Sequence, residues 1–288
     1  MKKKNYFSRK APGEIAVHCI ASLIFAVVAL SYVYILVWAV LSALKTHTEI
    51  VMNPFSLPTT WNWSHFVEVT KTLQVNGNNF WNMLFNSCYF SIVGVFLQMF
   101  VTITFAYACT MYKFPGSSWA YTIILIMMTL PIYGAGGATY KLFRNLGLID
   151  SYAQIIVSAS GMNASFLYFR AFFKNMSWTY AEAAQMDGCG HFGIFFRVMF
   201  PQAKPIFGAL FLTHWLTSWN TYESPLLYLP NLPTLPVGIY QFNTEMIYRA
   251  RLDILFAACV LVSIPALALF IGFNKVITTN VSLGGIKG

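Results

Sequence analysis

Charge is scarce in this chain. Only 9% of its 288 residues are Asp, Glu, Lys or Arg, acids number 9 against 18 bases, and 57% are hydrophobic. With a mean hydropathy of +0.59, that composition excludes an ordinary soluble globular domain. A GxxxxGK[ST] phosphate cradle is absent, so the chain is not expected to hydrolyse ATP. No Ser/His/Asp set and no metal-ligand cluster stands out, and His18, His47, His65, His191 and His214 are scattered. The five cysteines lack CxxC spacing. Cys19, Cys88, Cys109 and Cys259 sit in apolar stretches and Cys189 in a polar loop, which reads as small apolar filler and not as a disulfide framework. A cleavable signal peptide is not expected, because the first apolar run is too long for an h-region.

What the chain has in abundance is apolar runs of bilayer length, about 20 residues each. Six are expected to form helices: Ile15–Leu44, Leu84–Tyr112, Trp119–Tyr140, Ser151–Phe169, Ile206–Tyr222 and Ile254–Asn274. With Met1 inside, 12 of the 18 Lys and Arg residues fall on the inner side, the sense required by the positive-inside rule. The net charge of +9 then lies wholly inside. It suits an anionic lipid surface and needs no nucleic-acid partner.

Between the fourth and fifth runs lies the stretch Tyr180-Ala181-Glu182-Ala183-Ala184-Gln185-Met186-Asp187-Gly188-Cys189-Gly190-His191, continuing to Phe200-Pro201. Small helix-favouring residues lead to Gly188, which suits a left-handed position just past a helix end. A second short helix should follow, with Phe192, Phe195, Phe196 and Met199 at helical spacing and Pro201 ending it. A generic loop of this kind would lie on the membrane surface. This one resembles the EAA loop of ABC importer permeases, most closely the carbohydrate-importer, maltose-permease type. Lys113-Phe114-Pro115-Gly116, Gly147-Leu148-Ile149-Asp150, Trp219-Asn220 with Pro225-Leu226, Leu235-Pro236-Val237-Gly238 and the tail Gly284-Gly285-Ile286-Lys287-Gly288 fit that family in order along the chain. Cys189 departs from it, standing where the family has a small residue such as alanine.

The resemblance implies an all-α transmembrane fold of six helices, a single domain over residues 1–288, with cytoplasmic EAA coupling helices. It implies that Glu182, Ala183, Ala184, Asp187, Gly188 and Pro201 couple to an ATPase. Gly284, Gly285 and Lys287 would enter between paired ATPase subunits. ATP and Mg would be bound by that partner, with no cofactor in this chain. The other implied partners are a second permease subunit, an external or periplasmic solute-binding protein and membrane lipid. The implied location is a bacterial or archaeal plasma (inner) membrane, crossed several times, with both termini cytoplasmic.

Other segments carry two readings each. The fifth run is the most polar, from Thr213 to Glu223. Interhelical hydrogen bonds would account for it, but polar groups at that depth also face wet cavities. Indole, phenol and amide groups suit a sugar, so Trp219, Asn220 and Tyr222 are candidate pathway residues. Pro131, Gly134, Gly136 and Gly137 mark either a packing kink or a compliant point for alternating access. Trp61-Asn62-Trp63 reads as an interfacial anchor, and Leu229–Asp253 as an ordered external loop too polar to span. The expected function is the membrane-spanning permease subunit of an ATP-driven, binding-protein-dependent sugar importer. The alternatives are a polyol or glycerol phosphate permease of the same family, or a stand-alone channel or secondary transporter. The last would need intramembrane ionisable groups that are almost wholly missing.

Overall fold

The apolar runs become helices because, in a bilayer, the backbone has no other donor or acceptor to turn to than its own. A computed structural model describes residues 12–112, 114–129, 135–159 and 162–281. The basic arm Lys2–Lys10, Lys113, Pro131, Gly134 and the tail residues Gly284, Gly285 and Lys287 lie outside the described residues. In chain order the helices are α1 (Pro12–Leu44), α2 (His47–Met52) and α3 (Ser64–Thr72), then a hairpin of β1 (Gln74–Val75) and β2 (Asn78–Asn79). They continue with α4 (Phe80–Cys88), α5 (Gly94–Met111), α6 (Ser117–Thr129), α7 (Ala135–Asn145), α8 (Gln154–Ser158) and α9 (Ala164–Lys174). The last six are α10 (Thr179–Met186), α11 (His191–Ile194), α12 (Phe200–Asn220), α13 (Glu223–Tyr228), α14 (Leu235–Tyr248) and α15 (Leu252–Val281).

Among the described residues, three helices are both long and apolar enough to cross a membrane: Ala16–Leu44, Phe80–Met111 and Leu252–Phe273. The second of these runs through α4, a π-helical turn at Tyr89–Val93 and α5. α12 has 21 residues, about 30 Å at 1.5 Å per residue, but its Thr, Ser and Asn residues dilute it. The fourth expected span differs from expectation. It breaks after α8 and restarts at α9, where the Asn163 side chain caps the new helix by accepting from Ser165 N at 2.9 Å. A capping side chain there satisfies a free N–H that a continuous helix would have consumed. The third expected span falls on α6 and α7, and the loop expected at Leu229–Asp253 contains α14, which buries Leu235, Val237 and Phe242.

The chain divides into two compact units, residues 1–69 with 245–261 and residues 70–244 with 262–288. In the first, the apolar side chains of α1 from Val17 to Val37 are exposed, a surface suited to lipid. At its end the polar groups interlock. Lys45 is buried, and its Nζ donates to the carbonyls of Asn53 and Pro54 at 3.0 Å each. Arg251 bridges Glu68 and Asp253, and these carboxylates hold its guanidinium above its ordinary pKa, Glu68 first. His65 Nε2 lies 3.4 Å from the same Asp253, and its Nδ1 lies 2.9 Å from the Ala43 carbonyl.

The core of the second unit is α5 against α9, with α12 packed on both. Aromatic side chains fill the layer: Phe166, Phe169 and Phe173 of α9 are fully buried, and Tyr107 meets Phe173 and Phe195. At one end, the Gly147-Leu148-Ile149-Asp150 motif closes α7. Gly147 takes φ +66, Leu148 N reaches back to Phe143 O at 2.8 Å, and Asp150 accepts from the backbone and side chain of Asn231 at 2.6 and 2.9 Å. Gly238 is required for a different reason. A Cβ there would stand 2.9 Å from Met83 Sδ, so α14 approaches α4 through that glycine.

Candidate functional site

Two candidate regions lie toward opposite ends of α12. At the first end, α10 stops because Gly188 adopts φ +79. Gly188 N donates to Gln185 O and Cys189 N to Ala184 O, both at 2.9 Å. That pair of bonds is the Schellman arrangement, which satisfies the last carbonyls of a helix and fixes the direction of the chain leaving it. The expected left-handed glycine is therefore present, and its geometry locks the turn.

Within this loop Ala181 and Ala184 are buried, while Glu182, Ala183, Asp187 and Gly188 are exposed. Two large apolar side chains flank the turn and face outward: Met186 is 89% exposed and Phe192 83%. Phe195 and Met199 turn inward. Pro201 does not end the second helix, as its ring was expected to do. The chain stays helical from His191 into α12, passing through a π-helical turn at Phe195–Met199. Phe200 N bonds to Phe195 O across that wider turn, which relieves the clash a proline makes with the preceding turn of a regular helix. Pro201 thus sits in the first turn of α12, where its missing N–H costs little.

At the other end of α12 a cavity of about 320 Å³ lies among α4, the π turn, α5, α8 and the α12–α14 corner. Sequence reasoning picked Trp219, Asn220 and Tyr222 here, and the structure places them differently from one another. Trp219 lines the cavity wall but is 2% exposed, stacked near Trp215 and bonded from Nε1 to Val262 O at 3.3 Å. Asn220 is exposed and donates back to Leu216 O at 2.7 Å. Tyr222 stacks on Tyr240, with centroids 4.7 Å apart and planes at 15°. Asn220 and Tyr222 share a shallow neighbouring hollow with Thr217 and Glu223.

The remaining polar groups of α12 split between packing and cavity. Thr213, Thr217 and Thr221 each bond back to the carbonyl four residues earlier, a common way to satisfy a hydroxyl inside a helix. Trp215, fully buried, donates to Ser91 Oγ at 3.0 Å, and His214 Nε2 lies 2.7 Å from Ser165 Oγ. Sequence reasoning missed Gln98 on α5 and Gln154 on α8, which also line the cavity. Their signal was available, since a lone carboxamide in an apolar span is costly unless it faces a partner or a cavity.

These features define an integral membrane transport subunit: bilayer-length helices, an exposed turn-locked loop and a polar cavity, the last two toward opposite ends of one helix. Residues 98–282 match the family described as "Binding-protein-dependent transport system inner membrane component". The chain belongs to that family and is a permease subunit of an ABC importer. It is 29% identical over 273 residues to the arabinooligosaccharides transport system permease protein AraQ of Bacillus subtilis, covering 93% of this chain and 95% of that one. To the diacetylchitobiose uptake system permease protein NgcG of Streptomyces coelicolor it is 26% identical over 256 residues, covering 88% and 83%. Its fold matches a chain from the crystal structure of a bacterial ABC transporter involved in the import of the acidic polysaccharide alginate, with a TM-score of 0.76 at 21% identity, over 94% of this chain and 99% of that one.

Proposed function

We propose that this chain forms half of the translocation pathway of an ATP-driven sugar importer and that the α10–α12 loop is its contact with the ATPase. The observation that carries the second part is the pair Met186 and Phe192, apolar and exposed on either side of the locked Gly188 turn. Large apolar side chains left uncovered on a polar loop mark a surface that a partner protein covers. Glu182 supplies an exposed acid in the first turn of α10, and Ala183, Ala184, Asp187, Gly188 and Pro201 take part in the same proposed contact. The sugar class is supported by relatives named for arabinooligosaccharide and diacetylchitobiose uptake.

In this account a second, similar permease completes the pathway and two ATPase subunits bind ATP and Mg. A solute-binding protein delivers the sugar on the outer side, and both termini are cytoplasmic. Closure of the ATPase moves the loop, and α12 carries that motion toward Trp219, Asn220 and Tyr222, which contact the passing solute. The tail residues Gly284, Gly285 and Lys287 enter between the ATPase subunits. The test is co-expression with an ABC ATPase subunit from the same source. The pair should co-purify from membranes, and the chain alone should show no ATP hydrolysis. A chain that hydrolyses ATP alone, or that never associates with the ATPase, contradicts the proposal.

A further inference from the structure

The cavity beside the outer half of α12 is polar without being charged. None of the described residues that line it is Asp, Glu, Lys or Arg. Gln98 and Gln154 contribute carboxamides from α5 and α8, and Gln154 is buried to within 7%. Among the described residues neither side chain has a hydrogen-bond partner, although each can give two hydrogen bonds and accept two. Thr234 adds an independent observation. It lines the cavity, is 4% exposed, and its Oγ1 is buried with no hydrogen-bond partner among the described residues. Buried polar groups are ordinarily satisfied, and a cluster left open around one space points to a ligand that satisfies them.

The chemistry of that ligand follows from the lining. Carboxamides and hydroxyls both donate and accept, which complements the hydroxyls of a sugar or polyol. Phe90 and Trp219 add aromatic side chains to the lining, and aromatic surface suits the C–H groups of a pyranose. A carboxylate or phosphate brought here would lose water and meet no Lys or Arg among the described lining residues, His214 being held at 2.7 Å from Ser165 Oγ. About 320 Å³ stands at the low end of small-ligand sites, roughly 300–1,000 Å³, so the space suits one ring and not an extended chain.

We propose that this cavity binds a single uncharged glycosyl or polyol ring through the Gln98 and Gln154 carboxamides, and that it rejects acidic sugars. This rests on the importer function proposed above and adds to it a site within this subunit and the class of solute it takes.

The experiment uses the assembled complex with the partner permease and ATPase in lipid nanodiscs. Saturation-transfer NMR is recorded with glucose, galactose, arabinose and N-acetylglucosamine, and with glucuronate and galacturonate as matched acids. At least one neutral sugar should bind, and the uronates should not. Gln98→Leu and Gln154→Leu, which keep volume and remove the amide, should each weaken binding about tenfold, and Gln154→Asn should recover part of it. Uronates bound as tightly as the neutral sugars, no neutral sugar bound at all, or unchanged binding in both leucine variants would overturn the proposal. Discrimination between glucose and glucuronate is read on the unmodified complex, so it stands even where a variant fails to assemble. A complex that couples ATP to sugar uptake yet binds nothing here sinks the cavity alone, whereas a chain that never joins an ATPase sinks the importer function.

Discussion

The Tyr112 hydroxyl, one residue beyond α5, lies 3.0 Å from His191 Nδ1, the first residue of α11. The two rings also meet edge to face, and Trp178 makes a second edge-to-face contact with Tyr112. A membrane helix is therefore tied directly to the loop proposed to meet the ATPase. Tyr112→Phe removes the hydrogen bond and keeps the ring. An exposed bond of this kind is worth about 1 kcal/mol, so the complex should assemble while amide exchange over residues 189–194 speeds up about fivefold. Unchanged exchange would mean that ring packing alone holds the loop.

Asp150 makes a comparable tie at the opposite end. Its two oxygens accept from Asn231 N and Nδ2 at 2.6 and 2.9 Å. Asp150→Asn turns one acceptor into a donor facing Asn231, and should lower stability by about 1–2 kcal/mol. Thermal unfolding, with faster exchange at the Asn231 amide, checks it. An unshifted melting curve would remove this clamp from the account.

The loop after α10 was legible in the sequence because it depends on one residue type at one place. Gly188 stands where a helix must turn left-handed, and it does. Apolar run length located, for the same local reason, the three described helices long and apolar enough to cross a membrane. The break at Asn163 was hidden because the apolar total of Ser151–Phe169 outweighed one capping side chain. The proline at 201 was misjudged, since nothing in composition announces a π turn ahead of it. Nor could composition show that Gln98, Gln154 and Thr234 converge on one cavity. That meeting is set by the packing of α5, α8 and α14, far apart along the chain.

Asn220 tests the candidate pathway on α12. Its Nδ2 is held by Leu216 O, and it borders the hollow beside the cavity. Asn220→Ala removes an exposed amide without opening the core, so co-purification should be unchanged and sugar uptake should fall severalfold. Normal uptake would make the residue a spectator.

Glu49 gives the α2 segment a pH dependence. Its carboxylate accepts from the hydroxyl of Thr59 and from the backbone of Thr46, and these bonds lower its pKa from 4.5 to about 2. Because the folded value lies below the unfolded one, the stabilisation is complete above about pH 4.5 and is lost as pH falls toward 2. Between neutral pH and about pH 3, the wild type should therefore lose more thermal stability than Glu49→Gln. Equal losses would show that these bonds do not discriminate between the charged and neutral acid.

The locked turn at Gly188 is proposed to transmit ATPase motion to sugar movement. Any side chain at φ +79 adds about 1–2 kcal/mol of strain, and a β-branched one re-aims the helix that follows. Glu182→Ala, by contrast, leaves the turn intact and should weaken ATPase association by about 2–5 kcal/mol if the acid is paired in a buried cleft. The direct measurement is sugar transported per ATP hydrolysed, in proteoliposomes holding the complete complex with either wild-type chain or Gly188→Val. The account predicts a variant that inserts and retains helices but transports little sugar for each ATP. A Gly188→Val complex with the wild-type ratio would contradict it.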